Sequence, residues 1–127
     1  SFMLNGNVVN GKQLGGKIGF PTANIDVEEV YKLIPKTGVY VVRSTIKDEI
    51  IYGMMNIGKR PTVDGKHQTI EVHFFDFNQD LYEQSLKVEL LYFLRDEHKF
   101  DSVEHLVSQL QKDEIQARDF IANSLYL

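Results

Sequence analysis

Hydrophobic positions follow two different periods along the chain. Between residues 38 and 94, β-branched and aromatic residues concentrate in segments of strand length, separated by polar turns. A shorter segment of the same kind surrounds Val8 and Val9, and Pro61 and Gly65 bracket a loop between two of the longer ones. The predicted strands are 4–10, 38–46, 50–57, 69–77 and 86–94, with a turn at 78–80 before the last.

After residue 100 the hydrophobic period becomes helical. Apolar residues recur at three- and four-residue intervals over 101–121. Asp101 or Ser102 can cap this helix, and Glu104 stands at the capping-box spacing from Asp101. A run of strands followed by one long helix predicts a mainly β protein, a small closed barrel or a sandwich, with one appended helix.

Residues 11–24 are dense in glycine and proline and are predicted to form a loop, followed by a single helical turn at 28–34. Residues 11–17 match the first seven positions of a phosphate-binding P-loop. Ile18 stands where that motif needs Ser or Thr for magnesium, and Pro21 prevents a smooth helix. A P-loop is therefore excluded. Two interpretations remain, a flexible surface loop or a loop whose backbone N–H groups bind phosphates.

Thr22 and Asn24 follow Pro21 at a spacing of two residues. In an extended segment this spacing places both side-chain oxygens on one face. Neutral oxygens of this kind suit a magnesium ion that is shared with substrate phosphates. The alternative is that both side chains make only local turn hydrogen bonds.

The strand predicted at 69–77 carries the most informative pattern. Glu71 shares one face with His73, Phe75 and Phe77. A carboxylate among aromatic rings suits a general base, whereas the plainer interpretation is a strand-end carboxylate that reaches solvent. Since no second histidine stands at metal-binding spacing, His73 is expected to be packed and hydrogen-bonded.

Arg95 ends the strand predicted at 86–94, on the face of Leu91 and Phe93. Its guanidinium can form a salt bridge within the fold or contact a ligand, and the sequence leaves both open. The apolar stripe of the C-terminal helix is expected to be core packing.

Composition narrows the class of protein. The chain has 127 residues, no cysteine and a formal net charge of −4. Disulfides, thiolate nucleophiles and Cys-bound zinc are excluded, and a reducing, cytoplasmic location is expected. There is no apolar run of membrane-spanning length, so no membrane association is expected, and mild acidity argues against nucleic-acid binding. A single domain over 4–127 is expected, with residues 1–3 interpreted as a vector remnant.

Several segments together resemble the riboflavin kinase family, most closely the C-terminal kinase domain of bacterial bifunctional riboflavin kinase/FAD synthetase. The similarity runs from about residue 4 to residue 120 in the family's order. The segments are Gly-Phe-Pro-Thr-Ala-Asn (19–24), Thr-Gly-Val-Tyr (37–40), Asn-Ile-Gly-Lys-Arg-Pro-Thr (56–62), Ile-Glu-Val-His-Phe-Phe-Asp-Phe (70–77), Leu-Tyr (81–82), Leu-Arg (94–95) and Lys-Phe (99–100).

The resemblance implies a closed antiparallel Greek-key β-barrel with one long C-terminal α-helix. It implies transfer of the γ-phosphoryl group of ATP to the ribityl 5′-hydroxyl of riboflavin, giving FMN and ADP. Glu71 would be the catalytic base, and Thr22 and Asn24 would bind magnesium, or another divalent metal, together with ATP. The expected flavin contacts are Leu91, Phe93 and Arg95. The expected nucleotide contacts are Gly11, Gly15, Gly16, Lys17, Gly19, Pro21, Thr22 and Asn24.

The sequence departs from the family pattern at two positions. Gly16 stands where the family usually has a basic residue, so Lys17 either supplies that charge or the phosphate contact is lost. Glu83 stands where the family usually has glycine, which is expected to change a turn. The paired-histidine HxGH motif of the adenylyltransferase is absent from the sequence, so FMN but no FAD is expected as product, with the N-terminal adenylyltransferase domain missing.

Two other functions are weighed against this one. The same barrel could bind flavin or nucleotide without catalysis, and riboflavin turnover with ATP separates the two. An OB-like barrel could bind single-stranded nucleic acid through Phe74, Phe75 and Phe77, but the charge of −4 disfavours the basic groove that this needs.

Overall fold

The structure, a computed structural model, describes residues 2–9, 18–27, 35–62 and 65–124. Six strands close into an antiparallel barrel in the order β1-β2-β5-β4-β3-β6. Because β3, β4 and β5 are neighbours and β6 returns to lie beside β3, the barrel has the predicted Greek-key order. The elements are β1 (Phe2–Val9), β2 (Ala23–Asp26), β3 (Gly38–Ile46), β4 (Glu49–Thr62), β5 (Gly65–Phe74), β6 (Ser85–Arg95) and α1 (Val103–Ser124).

Strand pairing involves more residues near the N-terminus than the sequence predicts. Phe2 and Met3, which were left out of the predicted fold, pair with Leu90 and Glu89 and belong to β1, while the interpretation of residues 1–3 as a vector remnant stays a prediction. The loop predicted at 11–24 ends earlier than expected, because strand β2 begins at Ala23. Pairing of β2 with β1 and β5 determines the structure there, although the local sequence favours a loop. Residues 11–17 and the helical turn predicted at 28–34 lie outside the described residues.

The hairpin β4–β5 is longer than predicted. Pro61 pairs with Lys66 and Thr62 with Gly65, so strand pairing includes the two residues expected to bracket a loop, while residues 63 and 64 lie outside the described residues. Proline is tolerated here because it stands at the far end of a strand, where a missing N–H costs little. The β3–β4 hairpin turns at Lys47 and Asp48, whose positive φ values of 51° and 68° are those of a tight two-residue turn.

The barrel encloses one apolar core, and a second core lies outside it under α1. Ile70, Val72 and Phe74 share the face of β5 opposite Glu71, as the alternation predicted, and they pack in the barrel interior. The second core joins the outer face of the barrel to the helix around Val41, Ala117 and their neighbours. The outer face is therefore the one on which a helix-covered site can form.

The strand alternation predicted at 69–77 fails after Phe74. Asp76 has a φ of 56°, which turns the chain and ends the strand. Phe77 then packs against Phe74 on the barrel core, on the opposite side from the predicted one. Glu71, His73 and Phe75 keep their common outer face.

Strand β6 contains two β-bulges, which correct the predicted faces of its residues. Pairing with β3 skips Leu91 and Leu94, so each bulge adds one residue and shifts the alternation. Phe93 therefore packs against the barrel core, with its ring 5.1 Å from that of Tyr40, whereas Leu91 packs in the core under α1. Arg95 faces the helix and not the side of Phe93.

Ser102 caps α1: its hydroxyl oxygen accepts a hydrogen bond from the backbone N–H of His105 at 3.1 Å. Because Ser102 is the cap, the alternative cap Asp101 is wrong, and so is the capping box between Asp101 and Glu104. Further along, Arg118 binds Asp76 and lies over the ring of Phe75 at 4.7 Å, which ties the helix to the end of β5. No helix in the described part of the chain is long and apolar enough to cross a membrane.

Candidate active site

A cavity of about 320 Å³ lies between the outer face of the barrel and the first half of α1. Barrel strands supply one wall, the helix a second, and the segment after β6 a third. Its apolar lining includes Phe20, Val39, Met54, Phe100, Leu106 and Leu110. Its polar lining includes Thr22, Asn56, Glu71, His73 and Arg95. A mostly apolar cavity with a few converging polar groups is the form of a small-molecule site.

Glu71 stands in a row of polar side chains that crosses three strands. Its register partner on β2 is Asn24, and its register partner on β4 is Asn56. Directly paired residues of an antiparallel sheet point to the same face, so an amide flanks the carboxylate on each side. Asn56 was missed as a site residue. The signal was available, since it is a polar residue between the inward-facing Met55 and Ile57.

Thr22 contacts Glu71 directly. The Thr22 hydroxyl donates a hydrogen bond to Glu71 Oε1 at 3.3 Å. Ala23 and Ile25 pack in the barrel core, so Thr22 and Asn24 face outward together, as their spacing predicted. The local turn interpretation of this pair is not needed to explain Thr22, because its partner lies 49 residues away.

A second cavity, of about 280 Å³, adjoins the first at Thr22. It is lined by the Pro21–Asn24 segment, by polar residues of the turn after β5 such as Asn78 and Asp80, and by apolar side chains that include Val8, Val72 and Phe74. Thr22 lines both cavities. Thr22 therefore lies between the two cavities, and Glu71 lines the larger one.

His73 is packed and hydrogen-bonded, as predicted. Its ring makes edge contacts with Phe20 and Phe75, at centroid distances of 5.4 and 5.7 Å. Its Nδ1 lies 2.7 Å from the carbonyl oxygen of Pro21. Since a carbonyl only accepts, Nδ1 carries the hydrogen in this contact.

Arg95 forms the internal salt bridge that was one of its two predicted roles. Its Nε and Nη2 donate to the two carboxylate oxygens of Asp113 at 2.8 and 2.7 Å. Arg95 also lines the 320 Å³ cavity, so the second role, contact with a ligand, stays a prediction. Leu91 and Phe93 do not line that cavity in the described residues, and their predicted flavin contact also remains untested.

The segment after β6 supplies a wall that the sequence interpretation missed. Glu97, His98 and Phe100 line the cavity, and the rings of His98 and Phe100 lie 5.2 Å apart. Gly58 allows this approach, because a Cβ there would lie 2.8 Å from Glu97 Oε1 and 3.0 Å from Thr69 Oγ1. A side chain at this position would displace the ends of the Glu97 and Thr69 side chains.

The donor set at Thr22, Asn24 and Glu71 fits a hard divalent cation. It offers a hydroxyl, an amide oxygen and one carboxylate, the oxygen ligands that magnesium prefers. Thr22 can donate its proton to Glu71 and still present oxygen lone pairs to a cation. In the described residues no three His, Cys, Asp or Glu side chains form a metal-binding group.

Four residues of the predicted nucleotide loop, Gly11, Gly15, Gly16 and Lys17, lie outside the described residues. Gly19 has a φ of 88°, and a Cβ at this position would meet open space out to 4 Å. Its backbone conformation, and not crowding, therefore explains glycine there.

Comparison with known proteins decides the family. The family model described as Flavokinase: Riboflavin kinase matches residues 1–121. The chain belongs to the riboflavin kinase family. The resemblance seen in the sequence is thereby confirmed, and the closed barrel with a C-terminal helix is the fold of a family relative.

Two curated relatives and two solved structures illustrate the similarity. An RNA-binding riboflavin kinase of Bacillus subtilis is 43% identical over 112 residues, 87% of this chain and 47% of that protein. A bifunctional riboflavin kinase/FMN adenylyltransferase of Haemophilus influenzae is 43% identical over 120 residues, 94% of this chain and 38% of that protein. The chain thus spans less than half the length of these relatives.

Among solved structures, riboflavin kinase from Trypanosoma brucei aligns with a TM-score of 0.65 and 26% identity, covering 94% of this chain and 79% of that one. A structure described as a macrolide-efflux protein from Streptococcus pneumoniae aligns with a TM-score of 0.85 and 42% identity. That alignment covers 91% of this chain and 38% of the other.

Proposed function

We propose that this chain transfers the γ-phosphoryl group of ATP to the 5′-hydroxyl of riboflavin, giving FMN and ADP. The observation that carries the proposal is the position of Thr22, which lines both cavities and hydrogen-bonds to Glu71. Two substrates that occupy adjoining cavities can bring their reacting ends together at this point, and membership of the riboflavin kinase family supplies the two substrates.

The cavities differ in the substrates that they suit. The 320 Å³ cavity has apolar walls from Phe20, Met54 and Leu110, which suit the flat ring system of riboflavin. The 280 Å³ cavity combines apolar side chains such as Phe74 with polar turn residues such as Asn78 and Gln79, and we assign the nucleotide to it because Thr22 and Asn24, the candidate metal ligands, both line it. In this arrangement the ribityl chain and the triphosphate approach Thr22 from opposite sides.

Glu71 has the chemistry of a general base for this transfer. The riboflavin hydroxyl oxygen forms a bond to the γ-phosphorus, the bond from the γ-phosphorus to the bridging oxygen breaks, and ADP leaves with that oxygen. The hydroxyl proton moves to the Glu71 carboxylate. Asn56 lies beside Glu71 in the same cavity and can hydrogen-bond the ribityl hydroxyls. Most of the catalysis in phosphoryl transfer comes from such positioning and from charge stabilisation.

Thr22 and Asn24 would hold a divalent metal, which we take to be magnesium, together with the ATP phosphates. When bound, the metal would neutralise charge on the transferring phosphoryl group. Two neutral oxygens beside one carboxylate are a weak site by themselves. We therefore expect tight metal binding only when ATP or ADP is present.

The test is FMN formation from riboflavin and ATP by the wild type and by Glu71→Gln, resolved by chromatography. Gln keeps the shape and can hydrogen-bond the hydroxyl, but it does not accept the proton at neutral pH. A general base contributes roughly 10²–10⁴-fold, and the loose transition state of phosphoryl transfer favours the lower half of that range. Riboflavin affinity should change less than about tenfold.

The matched control is Glu49→Gln, the same substitution at an exposed strand position outside both cavities. It should keep wild-type turnover. A folded Glu71→Gln enzyme with near wild-type kcat would remove Glu71 as the base. Riboflavin and ATP binding without turnover in the wild type would overturn the proposed function in favour of a non-catalytic binding barrel.

A further inference from the structure

The hydrogen bond from His73 to Pro21 joins two parts of the site that are 52 residues apart. His73 lies on β5, two residues after Glu71 and on the same face. Pro21 immediately precedes Thr22. One side-chain contact therefore connects the strand of the candidate base to the segment that carries the candidate metal ligands.

Backbone geometry explains why this contact controls the position of Thr22. The ring of Pro21 fixes its φ, and the peptide plane holds its carbonyl oxygen rigid with respect to the Cα of Thr22. Once the carbonyl is bound, the remaining rotation at Pro21 is also restricted. The orientation of the peptide plane between Pro21 and Thr22 then depends on the hydrogen bond from His73.

The other side of Thr22 is held by strand pairing. Ala23 pairs with Val72 and Asn24 with Glu71, and these are the pairs that join β2 to β5. Pro21 has no backbone N–H to extend this ladder. The His73 imidazole donates instead to the Pro21 carbonyl, so β5 holds the segment both before and after Thr22.

We propose that His73 is a positioning residue, whose Nδ1–H holds the Pro21 carbonyl so that Thr22 meets Glu71 and the metal-bearing phosphates. The effect of His73 on catalysis rests on the proposed function, whereas its effect on the position of Thr22 does not. The imidazole also packs between Phe20 and Phe75, so its donor and its ring have to be separated experimentally.

Two substitutions separate these roles. His73→Asn keeps an N–H donor at the same number of bonds from Cβ as Nδ1, but removes the ring contacts. His73→Phe keeps an aromatic ring against Phe20 and Phe75, but removes the donor. Phe75→Leu is the packing control, because it removes one ring contact and leaves the hydrogen bond.

The first measurement is amide hydrogen exchange at residues 22–24 in the protein without ligands. Loss of one hydrogen bond should speed exchange there roughly five- to tenfold in His73→Phe. His73→Asn and Phe75→Leu should exchange these amides more slowly than His73→Phe, even where their melting temperatures are lower. Faster exchange in all three variants, or in none, would overturn the positioning role.

The second measurement is steady-state kinetics with magnesium and ATP varied. His73→Phe should raise the KM for ATP about tenfold relative to His73→Asn, and should need more magnesium for half-maximal rate. Equal KM values for ATP in His73→Phe and His73→Asn would contradict the proposal. If the wild type forms no FMN, the proposed function fails. The exchange rates at residues 22–24 still show whether His73 holds the Pro21 carbonyl, so failure of the proposed function is distinguishable from failure of the positioning role.

Discussion

The guanidinium of Arg95 meets the fully buried carboxylate of Asp113 through two nearly parallel hydrogen bonds of 2.8 and 2.7 Å. Gln109 donates a third hydrogen bond to Asp113 at 2.9 Å. A third N–H of Arg95 donates to the carbonyl of Asp96, at the start of the segment that walls the larger cavity. The Arg95–Asp113 ion pair thus joins the end of β6 to α1. Arg95 also holds Asp96, the first residue of the segment that lines the larger cavity.

We expect Asp113→Ala to lower the free energy of unfolding by about 3–5 kcal/mol, because it leaves the Arg95 charge partly buried without its partner. The double variant Arg95→Met with Asp113→Leu should lose less stability than the single variant, since it removes both charges and keeps the volume. Urea unfolding of the three proteins measures the difference. A double variant less stable than Asp113→Ala would contradict this expectation. It would mean that the ion pair stabilises the fold more than apolar side chains of similar volume do.

The sequence could predict the features that depend on local period. The alternation of Ile70, Val72 and Phe74 against Glu71 and His73 places the candidate base on the face opposite the apolar residues, and the structure agrees. The two-residue spacing of Thr22 and Asn24 required only an extended backbone, and the two residues lie at the start of β2, Thr22 directly before it and Asn24 within it. Regular alternation in long strands is a strong signal because one face is buried.

The features that could not be predicted depend on partners distant in the sequence. The bulges at Leu91 and Leu94 arise from pairing between β6 and β3, and nothing in the β6 sequence marks them. The turn at Asp76 needs a positive φ in a residue other than glycine, which a strand pattern does not reveal. The Arg95–Asp113 pair joins a strand to a helix, so the sequence left two roles open for Arg95.

The stability of the protein should fall at alkaline pH through Tyr40. Burial and the nearby Asp96 carboxylate raise the pKa of Tyr40 above its ordinary value of 10.0. The folded state therefore holds this proton more tightly than the unfolded state. The resulting stability is fully present below about pH 10 and is lost as pH rises through the higher folded value.

Tyr40→Phe tests this expectation. The variant loses the hydrogen bond from the Tyr40 hydroxyl to the Lys36 carbonyl, 2.6 Å long, and with it about 1 kcal/mol at neutral pH. Its stability should then depend less on pH above 10 than that of the wild type, as measured by urea unfolding at several pH values. Tyr82→Phe, at a 46% exposed side chain, is the control and should keep the wild-type dependence.

Glu83→Gly should stabilise the protein. Glu83 has a φ of 70° in the turn before β6, and its N–H donates to the carbonyl of Val8 at 3.0 Å. Its position in a turn agrees with the sequence expectation. A left-handed conformation costs a residue with a Cβ about 1–2 kcal/mol, while glycine loses about 0.5–1 kcal/mol more entropy on folding. We expect a net gain of about 0.5–1 kcal/mol in thermal unfolding. Gln84→Gly, one residue later where φ is not positive, should be destabilised.

Asn24→Asp should impair catalysis although it adds a charge to a candidate metal site. The new carboxylate would stand directly opposite Glu71 in the β2–β5 ladder, and two carboxylates at this distance repel each other and the ATP phosphates. We expect kcat/KM for ATP to fall at least about tenfold, while the free protein binds magnesium more tightly than the wild type in titration calorimetry. Asn5→Asp makes the same change on the exposed face of β1, opposite Lys87, and should leave both quantities unchanged. Wild-type kcat/KM in Asn24→Asp would show that Asn24 does not share the metal with the nucleotide.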